Sequence, residues 1–124
     1  MKVSRKRFET LVATALDGLP PSIQEAMSNV DVVIEEWPTD QQYAELGLAP
    51  EEWLFGLYEG TPLIERGVLA EPLMPDKITI FKGPLEEACE SEEQITDEIR
   101  RTVVHEIAQH FGIDEDRLAE LGYD

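Results

Sequence analysis

The stretch that decides the fold is Val104-His105-Glu106-Ile107-Ala108-Gln109-His110-Phe111-Gly112, near the end of a chain of 124 residues. An apolar residue recurs at every fourth position through this region, at Ile95, Ile99, Val103, Ile107 and Phe111. Such a repeat predicts a helix with one buried face. Ser91 and Gln94 match a capping box at its start, and Gly112 suits the left-handed position that ends a helix. We therefore predict one long helix between Ser91 and Gly112.

Helical geometry sorts the polar residues of this stretch into two groups. At about 100° per residue, Gln109 lies about 40° from His105, and Gly112 lies about 20° to the other side. The apolar stripe is centred about 160° from His105, so His105 is not predicted to be a core histidine. His110 falls about 140° from His105, inside the stripe. We expect His110 to have a structural role, hydrogen-bonded within the core or at its edge.

His105 and Glu106 begin the pattern H-E-x-x-H, in which two imidazoles one turn apart bind zinc and the glutamate acts as a base. The second imidazole position holds Gln109 instead. In longer forms of the pattern a glycine turns the chain back toward a third ligand three residues later. Gly112 matches that glycine and Glu115 follows at the right distance, while Asp114 or Asp116 could serve if the turn differs by one residue.

The composition excludes several classes of function. The net charge of −17 repels nucleic-acid phosphates and anionic membranes, and it attracts metal ions and cationic peptides. No apolar run approaches the roughly 20 residues that span a bilayer, and no signal-peptide core follows the basic residues 2–7. The lone Cys89 is expected to be a small buried residue in a reducing compartment. We therefore expect a single soluble cytoplasmic domain, residues 1–124, with no nucleic-acid or membrane partner.

The rest of the chain gives the fold class. Apolar residues at helical spacing predict a helix over residues 8–19 with Ser4 as N-cap, then a short helix after Pro20 and Pro21. Residue types and alternation predict strands at residues 30–36, 53–58 and 77–81. Between and after them we expect a short helix at residues 40–46, an extended loop at residues 63–76 and a last helix capped by Asp114. This order predicts an α+β domain with a small mixed sheet of about three strands.

Residues 105–114 resemble the small bacterial zincin-like metallopeptidases, whose signature is H-E-x-x-H-x-x-G-x-x-D. The likeness extends to residues 54–63, 78–85 and 116–122, in the same order across most of the chain. The resemblance implies a minimal zincin-like fold with one strand edging a cleft and the motif helix forming its floor. It also implies a role for each motif position, with the metal ligands at His105, Gln109 and Glu115 and the general base at Glu106.

Two departures from the signature bear on function. Gln109 stands where the family has histidine, and Glu115 stands where it has aspartate. A neutral amide oxygen is a weaker zinc donor than an imidazole nitrogen, so we expect zinc to be bound weakly or not at all. If metal binds, its water has a pKa near ~7 and Glu106 takes the proton.

Two functions therefore remain open at this point. The first is metal-dependent peptide hydrolysis with a weakened zinc site. The second is a non-catalytic zincin-like domain that binds a basic peptide or protein in the former substrate cleft. A metal titration separates them, because only the first needs a specific metal site. Trp37 and Trp53 are expected to pack in the core or at its edge rather than to form a ligand cage, and the sequence specifies no oligomeric state.

Overall fold

The computed structural model describes residues 1–49, 53–60 and 75–123, which contain six helices and three strands. The helices are α1 (Arg5–Asp17), α2 (Pro21–Ala26), α3 (Asp40–Leu46), α4 (Lys82–Ala88), α5 (Glu92–Phe111) and α6 (Glu115–Glu120). The strands are β1 (Val30–Glu35), β2 (Gly56–Glu59) and β3 (Asp76–Phe81). Residues 63–74 of the predicted loop lie outside the described residues. No helix within the described ranges is long and apolar enough to cross a membrane.

The three strands form one mixed sheet in the order β1-β3-β2. β1 is parallel to β3, and β2 is antiparallel to it, so the predicted α+β class with a mixed three-stranded sheet is confirmed. The central strand β3 contributes the fully buried Ile78 and Ile80 to the core. The backbone N–H of Phe81 donates to the carbonyl of Phe55 at 2.9 Å. This hydrogen bond extends the pairing of β3 to the residue that precedes β2. Among the described residues, β2 is at one edge of the sheet.

The core lies between this sheet, α1 and α5. α1 begins as predicted, because the side chain of Ser4 accepts the backbone N–H of Arg7 at 3.0 Å. Its apolar face, with Phe8 fully buried, packs on α5. Full burial of one such side chain contributes about 1.5–3 kcal/mol. Cys89 is buried, as predicted.

α5 has the predicted ends, but its buried stripe is shorter than predicted. Ser91 accepts the backbone N–H of Gln94 at 3.1 Å, while the Gln94 side chain accepts from Glu90 at 2.6 Å and not from Ser91. Gly112 has φ 70° and ends the helix. Phe111 is 49% exposed, contrary to our prediction. A strict four-residue repeat advances by about 40° per step around a helix, so its last member turns away from the face that buries the first.

Helix α4 was not predicted, because Gly83 and Pro84 indicate a turn. Both lie in the first turn of α4, where proline's missing N–H leaves no hydrogen bond unmade. The helix places Lys82 and Glu86 one turn apart, and the Nζ of Lys82 donates to Oε2 of Glu86 at 3.1 Å. Both side chains are buried, so this is an ion pair removed from water.

β2 approaches α5 closely at Gly56. A Cβ at this position would lie 2.7 Å from Cγ2 of Thr102 and 3.1 Å from the carbonyl oxygen of Thr79. Both distances are shorter than normal carbon contacts, so a larger residue fits only if the Thr102 side chain and the strand backbone shift. This contact fixes the separation between the edge strand and the helix that carries the motif.

Replacing this glycine should therefore destabilise the fold. We expect Gly56→Ala to lower the free energy of unfolding by about 1–3 kcal/mol, the usual cost of overpacking. Denaturant unfolding measures the loss. Thr102→Ala in the same background should recover part of it, because it removes the nearer clashing atom. Equal stability of Gly56→Ala and the unaltered protein would contradict the close approach.

Candidate functional site

A cleft of 440 Å³ opens between the start of β2 and the C-terminal half of α5. One wall comes from the strand side and the other from α5 and α6. Its described lining residues are Phe55, Gly56, Thr102, His105, Glu106, Ala108, Gln109, Ile113, Glu115 and Leu118. All four residues that the sequence singled out as metal ligands or base therefore border one cleft.

Helix α5 supplies three of these four side chains and α6 supplies the fourth. His105 and Gln109 are exposed one turn apart, while Ile107 on the opposite side is fully buried. After the left-handed turn at Gly112, α6 begins with Glu115, which is exposed. Helical phase predicted that His105 and Gln109 share one exposed face, and Glu115 borders the same cleft.

Glu106 is the least exposed of the four. Its side chain is half-buried, and burial raises the pKa of Glu106 above its ordinary value. The neighbouring His105 lowers this pKa, but by less than burial raises it. A carboxylate in this setting binds protons more readily than one in water, which suits a group that exchanges a proton or pairs with a cation.

The imidazole of His105 is held by the end of the described chain. Its Nε2 lies 2.9 Å from the carbonyl oxygen of Tyr123, and the backbone N–H of Tyr123 donates to the carbonyl of Leu118 at 2.8 Å. A carbonyl oxygen only accepts, so Nε2 carries the proton and donates. In the neutral ring the lone pair then belongs to Nδ1.

These donors do not fit a preformed zinc site. While Nε2 of His105 donates to the Tyr123 carbonyl, this ring offers a lone pair only at Nδ1. Gln109 offers only a neutral amide. No group of three His, Cys, Asp or Glu side chains within residues 1–49, 53–60 and 75–123 is placed to hold a metal ion. Of the acidic alternatives, Asp114 is engaged as the N-cap of α6, accepting from Arg117 at 2.9 Å.

His110 lies beside this cleft, but not in the core. Its side chain is 41% exposed, and its ring stacks on Tyr58 with centroids 4.0 Å apart. Its Nε2 is 3.7 Å from Oδ2 of Asp76, which accepts the Tyr58 hydroxyl at 2.6 Å. In place of the expected core or edge hydrogen bond, His110 makes a ring stack and a contact with the Asp76 carboxylate. Tyr58, His110, Glu106 and Gln109 line a smaller recess of 180 Å³.

No pattern in the sequence indicates the Tyr58–Asp76 contact. Tyr58 is on β2 and Asp76 begins β3, two strands that are antiparallel neighbours. The pairing depends on the strand register, which only the folded sheet defines. Once Tyr58 is opposite Ile78, the start of β3 lies near the end of β2, and the two polar side chains can meet.

Comparison with known proteins agrees with the fold and the family. The family profile of the zincin-like metallopeptidases matches residues 27–123. A conserved hypothetical protein from Thermus thermophilus has a similar structure, with a TM-score of 0.58 and 18% identity over 94% of this chain and 98% of that chain. A comparison with curated proteins gives no match. Since the profile covers most of the chain, the protein belongs to the zincin-like metallopeptidase family.

Proposed function

We propose that this zincin-like domain binds an extended peptide with basic side chains in the cleft between β2 and α5. The main support for this proposal is that an edge strand lies beside an acidic cleft. β2 pairs with β3 on one side only among the described residues, and Gly56 at its start lines the cleft. A peptide can add to such an edge through main-chain hydrogen bonds.

The charge of the cleft favours a cationic peptide. Glu106 and Glu115 line it, and its described lining includes no lysine or arginine. The net charge of −17 adds a long-range field of the same sign. Apolar side chains of Ala108, Ile113 and Leu118 lie between the polar groups, where they can contact the aliphatic parts of a peptide.

A labelled peptide tests this proposal. We expect an arginine-containing peptide to bind in EDTA and its glutamate-substituted counterpart not to bind, as measured by fluorescence anisotropy. Glu115→Gln should weaken binding about tenfold, since it removes one carboxylate from the cleft. Added salt should weaken binding further, because it screens exposed charges.

Asp116→Asn is the matched control. It removes the same charge from the next residue of α6, which is exposed and does not line the cleft. Equal loss of affinity in both variants would point to net charge rather than to the cleft. Equal binding of the two peptides would contradict the proposal.

Hydrolysis of the bound peptide is the second candidate function. The half-buried Glu106 favours it, because it borders the cleft beside His105 at the position of the family's base. Incubation of the peptide with protein and added Zn²⁺ or Co²⁺, followed by mass spectrometry, tests for cleavage. Cleavage that disappears in Glu106→Gln would support this function, and an intact peptide would leave only binding.

A further inference from the structure

Both tryptophans of the chain border a second cleft, of 430 Å³. Trp37 is 49% exposed and Trp53 is 52% exposed, so neither belongs to the core. Glu36, Glu87 and Lys2 also line this cleft. Large aromatic side chains exposed together are uncommon on a surface and are typical of binding sites.

Each indole is held in place against the protein. A Cβ at position 83 would overlap Cε2 of Trp37, so the indole rests directly on the backbone of Gly83. The N–H of Gly83 donates to the carbonyl of Glu36 at 2.7 Å, which fixes the segment that carries Trp37. Trp53 is supported by Phe55, with ring centroids 6.2 Å apart and planes at 27°. Both rings are therefore positioned while about half of each remains exposed.

Carboxylates outnumber cations in the lining of this cleft. Glu36, Glu86 and Glu87 line it, together with the ammonium groups of Met1 and Lys2. Lys82 pairs with Glu86 at 3.1 Å and lies 3.9 Å from Glu36. The net charge of −17 acts in the same direction.

Phe55 and Trp53 connect the second cleft to the first. Phe55 lines the main cleft and its ring stacks with Trp53. Trp53 is three residues before Gly56, which is at most about 11 Å of extended chain. A peptide that follows the edge of β2 and continues past Phe55 reaches the indoles within about three of its own residues.

We propose that Trp37 and Trp53 bind an arginine side chain of this peptide, with Glu36 and Glu87 accepting hydrogen bonds from its guanidinium group. This inference rests on the proposed peptide-binding function and adds a side-chain preference to it. A guanidinium group stacks on an indole face and presents hydrogen-bond donors in its plane, so one group satisfies both kinds of partner.

Intrinsic fluorescence tests the inference without a label, because both tryptophans line this one cleft. An arginine peptide should change the tryptophan emission saturably. The same peptide with citrulline in place of arginine keeps the shape and loses the charge. It should bind about fivefold to thirtyfold more weakly.

Three variants test whether the second cleft causes the preference for the arginine peptide. Trp37→Ala should weaken binding of the arginine peptide to the level of the citrulline peptide, as measured by anisotropy. Gly83→Ala should do so in part, because the new methyl group displaces the Trp37 indole. Phe111→Ala removes an aromatic ring of similar exposure that lies outside this cleft, and it should have no effect.

The outcomes separate this inference from the proposed function. Binding that depends on Glu115 but is unchanged by Trp37→Ala, with equal affinity for arginine and citrulline peptides, would overturn the inference and retain the function. N-acetyl-L-arginine methylamide, which is too short to follow β2, tests the second cleft alone. An emission change with this compound that is lost in Trp37→Ala supports the inference even if no peptide binds. If no arginine ligand changes the emission, the inference is overturned.

Discussion

Replacing Gln109 by histidine is expected to raise zinc affinity by at least about 100-fold, or about 2.7 kcal/mol. The new imidazole would stand one turn from His105, on the same exposed face and in the same cleft as Glu115. An imidazole nitrogen is a much better zinc donor than an amide oxygen. Zinc binding must first break the hydrogen bond between His105 and the Tyr123 carbonyl, which reduces the gain in binding free energy by about 1 kcal/mol.

Competition with a chromophoric chelator measures this gain. The control is Gln109→His combined with His105→Ala, which removes the second imidazole. If the two histidines bind one ion, the gain disappears in the double variant. A similar gain without His105, or none in Gln109→His itself, would show that the cleft does not bring these positions together as a metal site.

The second large effect is expected at the buried Lys82–Glu86 pair. Lys82→Met should lower the free energy of unfolding by about 3 kcal/mol at neutral pH, because it leaves the Glu86 carboxylate buried without its charged partner. The remaining hydrogen bond from the backbone N–H of Val3, at 2.7 Å, limits the loss. Chemical denaturation measures it. Lys82→Met with Glu86→Gln should recover most of the loss, since the amide oxygen still accepts from Val3 and no charge is buried.

The pH dependence of this loss has a defined sign. Burial alone would raise the pKa of Glu86, but the Val3 N–H and the Lys82 ammonium more than offset it and hold the pKa below its ordinary value. The ionised pair therefore stabilises the fold above the ordinary carboxyl range, and this contribution is lost as the pH falls. In Lys82→Met the ammonium no longer lowers the pKa of Glu86, so the carboxylate binds a proton at a higher pH than in the unaltered protein, which relieves the cost of its burial. The difference between the two proteins should shrink below about pH 5, and a constant difference would contradict the buried pair.

The sequence was sufficient where local geometry decides the outcome. Ser91 and Gly112 bound the long helix, and helical phase predicted that His105 and Gln109 share the exposed face that borders the cleft. Phase also explains the error at Phe111, because a repeat of four does not match a helical period of about 3.6. These are properties of one helix and need no knowledge of its neighbours.

The features that the sequence did not predict depend on contacts between segments that are far apart in the chain. Tyr123 lies 18 residues from His105 and meets it through a backbone carbonyl, which no side-chain pattern records. Trp37 is 49% exposed and rests on Gly83, so its position depends on a helix that the sequence did not predict. α4 was missed because glycine and proline break a helix interior but are tolerated in its first turn.

The central claim is that the acidic cleft beside β2 binds a basic peptide without a metal ion. Calorimetric titration of the unaltered protein with an arginine-containing peptide in EDTA tests it most directly. We predict saturable binding with one peptide per chain, unchanged when zinc replaces the chelator. No binding in EDTA, with binding or cleavage only after zinc is added, would contradict the claim and identify the cleft as a metal-dependent site.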